Sequence, residues 1–384
     1  MSWMSPSYVL QSGFNTSWTV LGKRYSLWLY REVGWEQGHN LHGQPVLFIP
    51  GNAGSSHQVR SIASSATRQY FSNPYRVSDE FASRNLKPLD FFAVEFNEDL
   101  SAFHGPTLDS EKDYTSASIS YILSLYPPNT SIIVLGHSMG GIVATSLLPH
   151  PKISTIITMS TPHILPPARF DSRLDRIYST NWDVLRNDST PILSLCGGAT
   201  DSMVPSESCI LPEVEGVYRR TVFSSALEGS WTGVGHKEMV WCHQVRWRVA
   251  RAALELGPVN SPRPRGQILD TWLRDGSTLP PALHTHQQTA ADITLRPGQF
   301  VDLRESEKLE LKSPNVKQTY LLPVPKGDAS KSSSKFVLYL SQGSIPPTSP
   351  HHPLPLRATI RICQPSNEEI RCIALTPSKL KANS

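Results

Sequence analysis

A serine between glycines, placed where an apolar run meets a helix-like run, is the feature that most constrains the fold of this chain. The stretch reads "SIIVLGHSMGGIVATSLL" over residues 131–148. Its first part has the β-branched, apolar composition of a short buried strand. Its second part is a longer apolar run without strand alternation and fits a buried helix. The sequence therefore predicts a strand that turns sharply into a helix, with Ser138 at the turn.

The turn carries the pattern G-x-S-x-G, in which Gly136 and Gly140 flank Ser138. Between a strand and a helix, this pattern is typical of a nucleophile elbow, which exposes the serine hydroxyl at the carboxyl end of a sheet. The Met139 N–H then lies at a helix N-terminus, where it can stabilise an oxyanion. We interpret Ser138 as a nucleophile, and a structural turn is the alternative. His137 either packs beside the elbow or lines the site.

Short apolar runs alternate with helix-like runs over residues 1–256, which predicts a mostly parallel, doubly wound sheet and, with the elbow, an α/β-hydrolase fold. Residues 257–285 begin with a run of Pro, Gly and Arg and are predicted to form a linker. Residues 286–384 are predicted to form a smaller, sandwich-like all-β module. The predicted strands are 23–33, 45–50, 89–96, 131–136, 153–160, 191–198 and 218–226, and the predicted helices are 58–70, 116–125, 141–148 and 240–256.

Chain order selects the acid that would assist the serine. In this fold the acid follows the serine and the histidine comes last. Asp201 lies directly after the predicted strand 191–198, which is where the acid belongs. We therefore predict Asp201 as the acid, with a surface turn as the alternative interpretation. The competing acids lie before that strand, in a segment (162–190) predicted to cap the acyl site: Asp171, Asp175 and Asp183.

The catalytic base must lie on the loop after the next strand. His236 follows the predicted strand 218–226 and is flanked by glycines. His243 falls inside the predicted helix 240–256, where its backbone is committed. A base that serves both a serine and an acid belongs on a loop, so His236 is the predicted base. The further candidates are His57, His104 and His163, of which His163 is predicted to line the site.

A second oxyanion donor should come from the loop after an earlier strand. "FIPGNAGS" fits, with the backbone N–H of Asn52 or Ala53 turned inward. A phosphate-binding loop is the weaker alternative, because no Gly-Lys-Ser/Thr follows. The predicted chemistry is attack on an ester by Ser138, with an acyl-enzyme as intermediate.

Bulk composition limits the other function classes. The chain has 384 residues, 39% apolar and 18% charged, and a net charge of +4. This is typical of a globular protein, and the charge is too small to indicate nucleic-acid binding. Because the chain has no CxxC and no Cys/His metal spacing, we predict neither a metal nor a cofactor.

Cysteines and sequons bear on the compartment. Cys196 and Cys209 bracket a short segment, as do Cys363 and Cys372. This spacing allows two local disulfides, and five reduced thiols are the alternative interpretation. Sequons occur at Asn15, Asn129 and Asn187 and weakly favour a secretory compartment. The first ten residues lack the basic and apolar regions of a signal peptide, and no window of about 20 residues is apolar throughout. We therefore expect no transmembrane segment in this sequence.

Several longer stretches together resemble the GPI inositol-deacylase family of the endoplasmic reticulum. The resemblance is close over residues 1–256 and looser over the tail. It is carried by "MSPSYV", "YSLWLYRE", "GQPVLFIPGNAGSSHQVRSIA", "DFFAVEFNEDLSAFHG", "GHSMGGIVA", "MSTPH" and "VGHKEMVW".

The resemblance implies a lipase-like serine hydrolase that removes the acyl chain from the inositol of GPI anchors. Its catalytic residues would correspond to Ser138, Asp201 and His236. It also implies GPI-anchored proteins as substrates and a place at the lumenal face of the membrane, although the family's transmembrane segments are not found in this sequence. A general lipase or carboxylesterase with the same triad, and a binding module without catalysis, are the alternatives.

Overall fold

The computed structural model describes residues 4–36, 40–259, 261–275, 293–303, 318–323, 360–366 and 369–374. The chain forms two compact units, Met1–Pro280 and Pro281–Ser384. The strands of the first unit are β1 Pro6–Leu10, β2 Ser26–Glu32, β3 Gln44–Ile49, β4 Phe71–Asn73, β5 Arg76–Val77, β6 Leu89–Glu95, β7 Ile132–His137, β8 Ile153–Met159, β9 Ile192–Cys196 and β10 Arg219–Phe223. Its helices are α1 Arg60–Tyr70, α2 Asp79–Ser83, α3 Gly105–Ser124, α4 Met139–Ser146, α5 Ser172–Asn187, α6 His243–Leu256 and α7 Pro262–Trp272.

Eight strands of the first unit form one sheet, in the order β1-β2-β6-β3-β7-β8-β9-β10. The strands from β6 to β10 run parallel to one another, and β2 is antiparallel to both of its neighbours. From β3 the chain continues to β6 on one side and later to β7 on the other. The loops after β3 and β7 therefore diverge at the carboxyl edge, where open parallel sheets bind their ligands.

The core lies on both faces of this sheet, because side chains alternate along each strand. In β3, Val46 and Phe48 pack on the face covered by α1, α6 and α7. Leu47 and Ile49 pack on the face covered by α3, α4 and α5. All four side chains have no exposed surface, as expected for a central parallel strand between two helical layers.

Two helices extend beyond what the sequence predicted. α3 begins at Gly105, well before residue 116, and Pro106 occupies its first turn, where proline is favoured. The first half of this helix is polar, so the search for apolar runs did not predict it. α5 lies inside the segment predicted as a cap, and its Leu174 and Leu185 are fully buried in the core beside α3 and α4. α5 is therefore part of a helical layer of the fold.

The predicted linker, residues 257–285, also holds regular structure. Its described part contains α7, whose Leu269 is fully buried in the core with residues of α6. The predicted division into domains stays a prediction.

The second unit contains small sheets. Its strands are β11 Ile293–Leu295, β12 Val301–Asp302, β13 Tyr320–Leu321, β14 Arg361–Ser366 and β15 Glu369–Ala374. Strands β11, β15 and β14 form an antiparallel sheet, and β12 pairs with β13 in parallel. Cys363 and Cys372 face each other across the β14–β15 pair and form a disulfide. Most of the predicted β-rich module lies outside the described residues. The predicted fold class, an α/β-hydrolase sheet followed by a small β module, is confirmed.

Candidate active site

Ser138 occupies a tight turn between β7 and α4. Its backbone has φ 52° and ψ −125°, a left-handed conformation that is unusual for a residue with a side chain. The turn is possible because Gly136 and Gly140, two residues before and after the serine, have no side chains. A Cβ on Gly140 would lie 2.2 Å from the Ile49 carbonyl oxygen, and one on Gly136 would lie 2.6 Å from the Cα of Gly141. The glycines of G-x-S-x-G are therefore required by space, as the elbow interpretation predicted.

Asp201 follows β9 and a single turn of 3₁₀ helix. Its Oδ1 accepts hydrogen bonds from the backbone N–H groups of Met203 (3.0 Å) and Val204 (2.9 Å). Burial raises the pKa of this carboxyl, but the hydrogen bonds from His236 and from the Val204 N–H outweigh it and hold the pKa below its usual value. Asp201 is thus kept as a carboxylate in a nearly closed site.

His236 pairs with this carboxylate. Its Nδ1 lies 3.1 Å from Oδ2 and 3.2 Å from Oδ1 of Asp201, and both side chains are buried. A carboxylate only accepts, so Nδ1 carries the proton and Nε2 is free to act as a base. The loops of acid and base are also joined through the backbone, because the Val234 N–H donates to the Gly197 carbonyl oxygen at 3.0 Å.

The loop of His236 reaches the elbow through His137. The Nε2 atom of His137 lies 2.9 Å from the backbone carbonyl oxygen of His236, and the two rings are 5.0 Å apart. Because Ser138 is the next residue, this contact brings serine, acid and base into one buried region. The three residues that chain order selected are thus brought together, although their catalytic roles stay a prediction.

The loop after β3 passes directly against the serine. A Cβ on Gly51 would lie 2.6 Å from the Cβ of Ser138 and 3.2 Å from its Oγ. Of the predicted oxyanion donors, the Ala53 N–H already donates to the Asp99 carbonyl oxygen at 3.0 Å. The Asn52 N–H makes none of the hydrogen bonds found in the described part of the chain. The Met139 N–H, at the first position of α4, has no acceptor within its helix.

Sequence reasoning did not identify the group that holds this loop. Asp99 accepts from Ala53 through its carbonyl, and its carboxylate accepts from the Tyr25 hydroxyl (2.6 Å) and pairs with Arg24 (2.7 Å). The Asn52 side chain is also engaged, since its Oδ1 accepts the Ala102 N–H at 2.9 Å. Nothing in the local sequence signals these contacts.

The competing histidines contact other residues. His163 is fully buried and its Nε2 lies 2.8 Å from the Thr158 hydroxyl, so it packs beside the elbow strand. His243 is exposed and begins α6, rather than lying one turn inside it. His57 packs against Tyr8, and His104 bonds Thr107 at the start of α3.

The competing acids lie in α5 or at its N-terminus. Asp171 accepts the N–H groups of Gly105 and Arg173 and caps α5, and Asp175 pairs with Arg169. Asp183 is exposed on the same helix. None of the three contacts His236 among the hydrogen bonds and ion pairs of residues 40–259.

Cys196 and Cys209 form a disulfide beside the acid loop, and Cys242 is a free thiol. Across the described ranges, no group of three or more His, Cys, Asp or Glu side chains is placed to hold a metal ion. Among the helices of those ranges, none has both the length and the apolar character that a bilayer span requires.

Comparison with known proteins identifies the family of this chain. The PGAP1-like alpha/beta domain family matches residues 40–256. The chain is 36% identical over 371 residues to GPI inositol-deacylase of Chaetomium globosum, which covers 85% of this chain and 32% of that protein. It is 40% identical over 292 residues to the protein of the same name from Cryptococcus neoformans var. neoformans, covering 72% and 37%. The chain thus spans about a third of the length of these relatives.

Among solved structures, Est1E from Butyrivibrio proteoclasticus is similar to the chain with a TM-score of 0.41 and 14% identity, over 65% of this chain and 98% of that one. A similarity this low supports no functional conclusion.

Proposed function

Since the chain belongs to the PGAP1-like alpha/beta domain family, we propose that it is a serine ester hydrolase that removes the acyl chain from the inositol of GPI anchors. The observation that carries the proposal is the buried pair of His236 and Asp201, held beside an elbow that presents Ser138. The name shared by the curated relatives, GPI inositol-deacylase, supports the choice of ester.

The geometry supports a two-step reaction. The Nε2 of His236 takes the proton of Ser138 as its Oγ attacks the ester carbonyl carbon. The oxyanion accepts hydrogen bonds from the N–H groups of Met139 and Asn52, and each such donor contributes about 3 kcal/mol to transition-state stabilisation. Collapse expels the inositol oxygen, which takes the proton from His236. Water, deprotonated by the same imidazole, then attacks the acyl carbon. The bond from that carbon to Oγ breaks, His236 returns the proton to Oγ, and the fatty acid leaves, while Asp201 keeps the imidazole in the required tautomer.

The proposed place of action is the lumenal face of the endoplasmic reticulum membrane, where GPI-anchored proteins would be the substrates. Two features support an oxidising, glycosylating compartment. One is the disulfide pair, Cys196–Cys209 and Cys363–Cys372. The other is that all three sequon asparagines are exposed: Asn15, Asn129 and Asn187.

The test is fatty-acid release from an acyl-inositol GPI presented in mixed micelles to the purified chain. We expect release by the wild type and none by Ser138→Ala. Ser120→Ala is the matched control, because Ser120 is exposed on α3 and its hydroxyl donates to the Ser116 carbonyl oxygen. Equal release by Ser138→Ala and wild type would refute the proposal. Rapid turnover of short-chain esters without release from the acylated GPI would instead indicate a general carboxylesterase.

A further inference from the structure

One buried side chain near the site has no part in the chemistry above. His137 ends β7 and is 3% exposed. Its Nε2 lies 2.9 Å from the carbonyl oxygen of His236. A carbonyl only accepts, so Nε2 carries the proton and donates it, which fixes the tautomer of the ring. Nδ1 is then an unprotonated acceptor, and it is buried without a hydrogen-bond partner among the described residues.

The unpaired nitrogen shows that packing alone does not account for a histidine here. A buried acceptor without a partner destabilises the folded chain, and an apolar side chain of similar size would avoid that loss. What an apolar side chain would lose is the bond from Nε2. The interaction with His236 is therefore the property that distinguishes histidine from other buried residues at position 137.

The base loop, residues 233–237, has few other anchors. Val234 joins it to the acid loop at Gly197, and the Gly235 carbonyl accepts from Met239 at the start of the following turn. Among the hydrogen bonds of residues 40–259, the one from His137 joins the base loop to the elbow. Without it, the main chain of His236 would be held to the acid but not to the strand that carries the serine.

We propose that His137 is a positioning residue for the catalytic base, acting through its Nε2–H bond to the His236 carbonyl. The inference rests on the proposed function, because a base needs positioning only if it serves Ser138. The bond to Asp201 orients the imidazole about its acid, and the bond from His137 sets how far the ring stands from the nucleophile. A displacement of about 1 Å at such a group costs on the order of 10²-fold in rate.

The environment of His137 suits this role. Complete burial, with a smaller contribution from the neighbouring His236, lowers the pKa of His137 to about 4. The ring therefore stays neutral at neutral pH and keeps the lone proton on Nε2. A neutral donor anchors the loop without placing a second positive charge beside His236 when that residue takes the serine proton.

A matched pair of variants separates the hydrogen bond from the side chain's bulk. In His137→Gln the amide nitrogen can reach the position of Nε2, whereas in His137→Asn it reaches only the position of Nδ1. The measurement is kcat and KM on an acyl-inositol GPI, with the rate of Ser138 labelling by a fluorophosphonate. We expect His137→Asn to lower kcat and the labelling rate about 10²-fold with KM unchanged, and His137→Gln to stay within about tenfold of wild type. His243→Gln is the surface control.

A second readout does not depend on turnover. The proton shared by His236 Nδ1 and Asp201 should give a downfield proton NMR signal, retained in wild type and His137→Gln and broadened by exchange in His137→Asn. If His137→Asn does not fold, the glutamine variant decides: rescue with a retained signal supports the proposal, and loss of both overturns it.

The outcomes separate the two proposals. Wild-type labelling with an equal rate in His137→Asn overturns the positioning role and leaves the hydrolase intact. Equal loss in both variants, with a normal signal, also overturns it, because the bond would then not be what matters. A wild type that neither labels nor hydrolyses overturns both.

Discussion

Two loops flank Ser138, and they are held in different ways. The base loop, residues 233–237, is anchored by neutral, buried groups: the Gly197 carbonyl and the imidazole of His137. The oxyanion loop, residues 51–54, is anchored through Asp99, whose carboxylate pairs with the half-exposed Arg24. A positive charge on His137 would lie beside the His236–Asp201 pair and would alter the basicity of His236, whereas the Asp99–Arg24 pair lies on a more exposed side and is screened by solvent. The base loop is thus held by a neutral ring next to the buried pair. The backbone bond that holds the oxyanion loop comes from a residue whose side chain forms a half-exposed ion pair.

The largest effect on activity should come from replacing the acid that pairs with the base. In Asp201→Asn the amide group can donate to Nδ1, which favours the tautomer with the proton on Nε2 and removes the base. We expect kcat to fall about 10⁴-fold with little change in the fold. Hydrolysis assays would measure it, with Asp183→Asn, an exposed acid on α5, as control. Comparable losses in both variants would argue against Asp201 as the acid.

Lowering the pH should have the next largest effect, because it protonates buried histidines and so lowers the free energy of unfolding. Burial lowers the pKa of His137 to about 4 and that of His163 to about 3, against an ordinary value of 6.5. The unfolded chain therefore binds these protons first, so the stability from keeping each ring neutral is complete above pH 6.5. It is lost as pH falls toward about 4 for His137 and about 3 for His163. Asp201, with a pKa below 3.8, contributes to acid sensitivity only at lower pH.

Urea unfolding at pH 7.5 and 4.5 would test this. Each buried histidine should contribute about 3 kcal/mol to the loss of unfolding free energy between these pH values. His163→Gln, which leaves the base loop untouched, should lose that much less than wild type over the same interval. An unchanged difference between the two pH values would mean that His163 is not held neutral by burial.

The parts of the site that the sequence predicted follow local rules. The elbow needs glycines two residues before and two residues after Ser138, and the strand order puts Asp201 and His236 on consecutive loops, so both could be inferred from spacing. The hydrogen bond that the Ala53 N–H makes could not be inferred, because its acceptor, Asp99, lies on another loop and also bonds Tyr25. Such contacts depend on tertiary packing, which leaves no periodic or local signal.

The same limit applies to the fold. The apolar, parallel strands were predicted within a few residues because buried strands have continuous apolar runs. Strand β1 was not predicted. It lies half-exposed at the edge of the sheet and, within the described residues, β2 is its one partner strand. The polar start of α3 and the packing of α5 were hidden for a similar reason, because amphipathic surface helices resemble loops when only apolar runs are read.

On the oxyanion side a smaller effect is expected. Asp99→Asn removes the charge that pairs with Arg24, but the amide oxygen can still accept from Tyr25 and the backbone bond to Ala53 remains. An ion pair this exposed is worth at most about 1 kcal/mol, so kcat should fall no more than about fivefold. A high salt concentration screens the same ion pair, so it should lower kcat of the wild type by a similar factor. A loss as large as that expected for His137→Asn would mean that the Asp99–Arg24 ion pair matters as much to activity as the bond from His137 to the base loop.

The smallest effect should come from His243→Gln. His243 is exposed at the start of α6, seven residues after His236, with its ring 5.8 Å from that of Trp247. Exposed substitutions of this kind change stability by no more than about 0.5 kcal/mol. Hydrolysis by His243→Gln should therefore match wild type, while His236→Gln should be inactive. The reverse pattern would transfer the role of base to His243, and the neutral anchor at His137 would then hold a loop without a catalytic function.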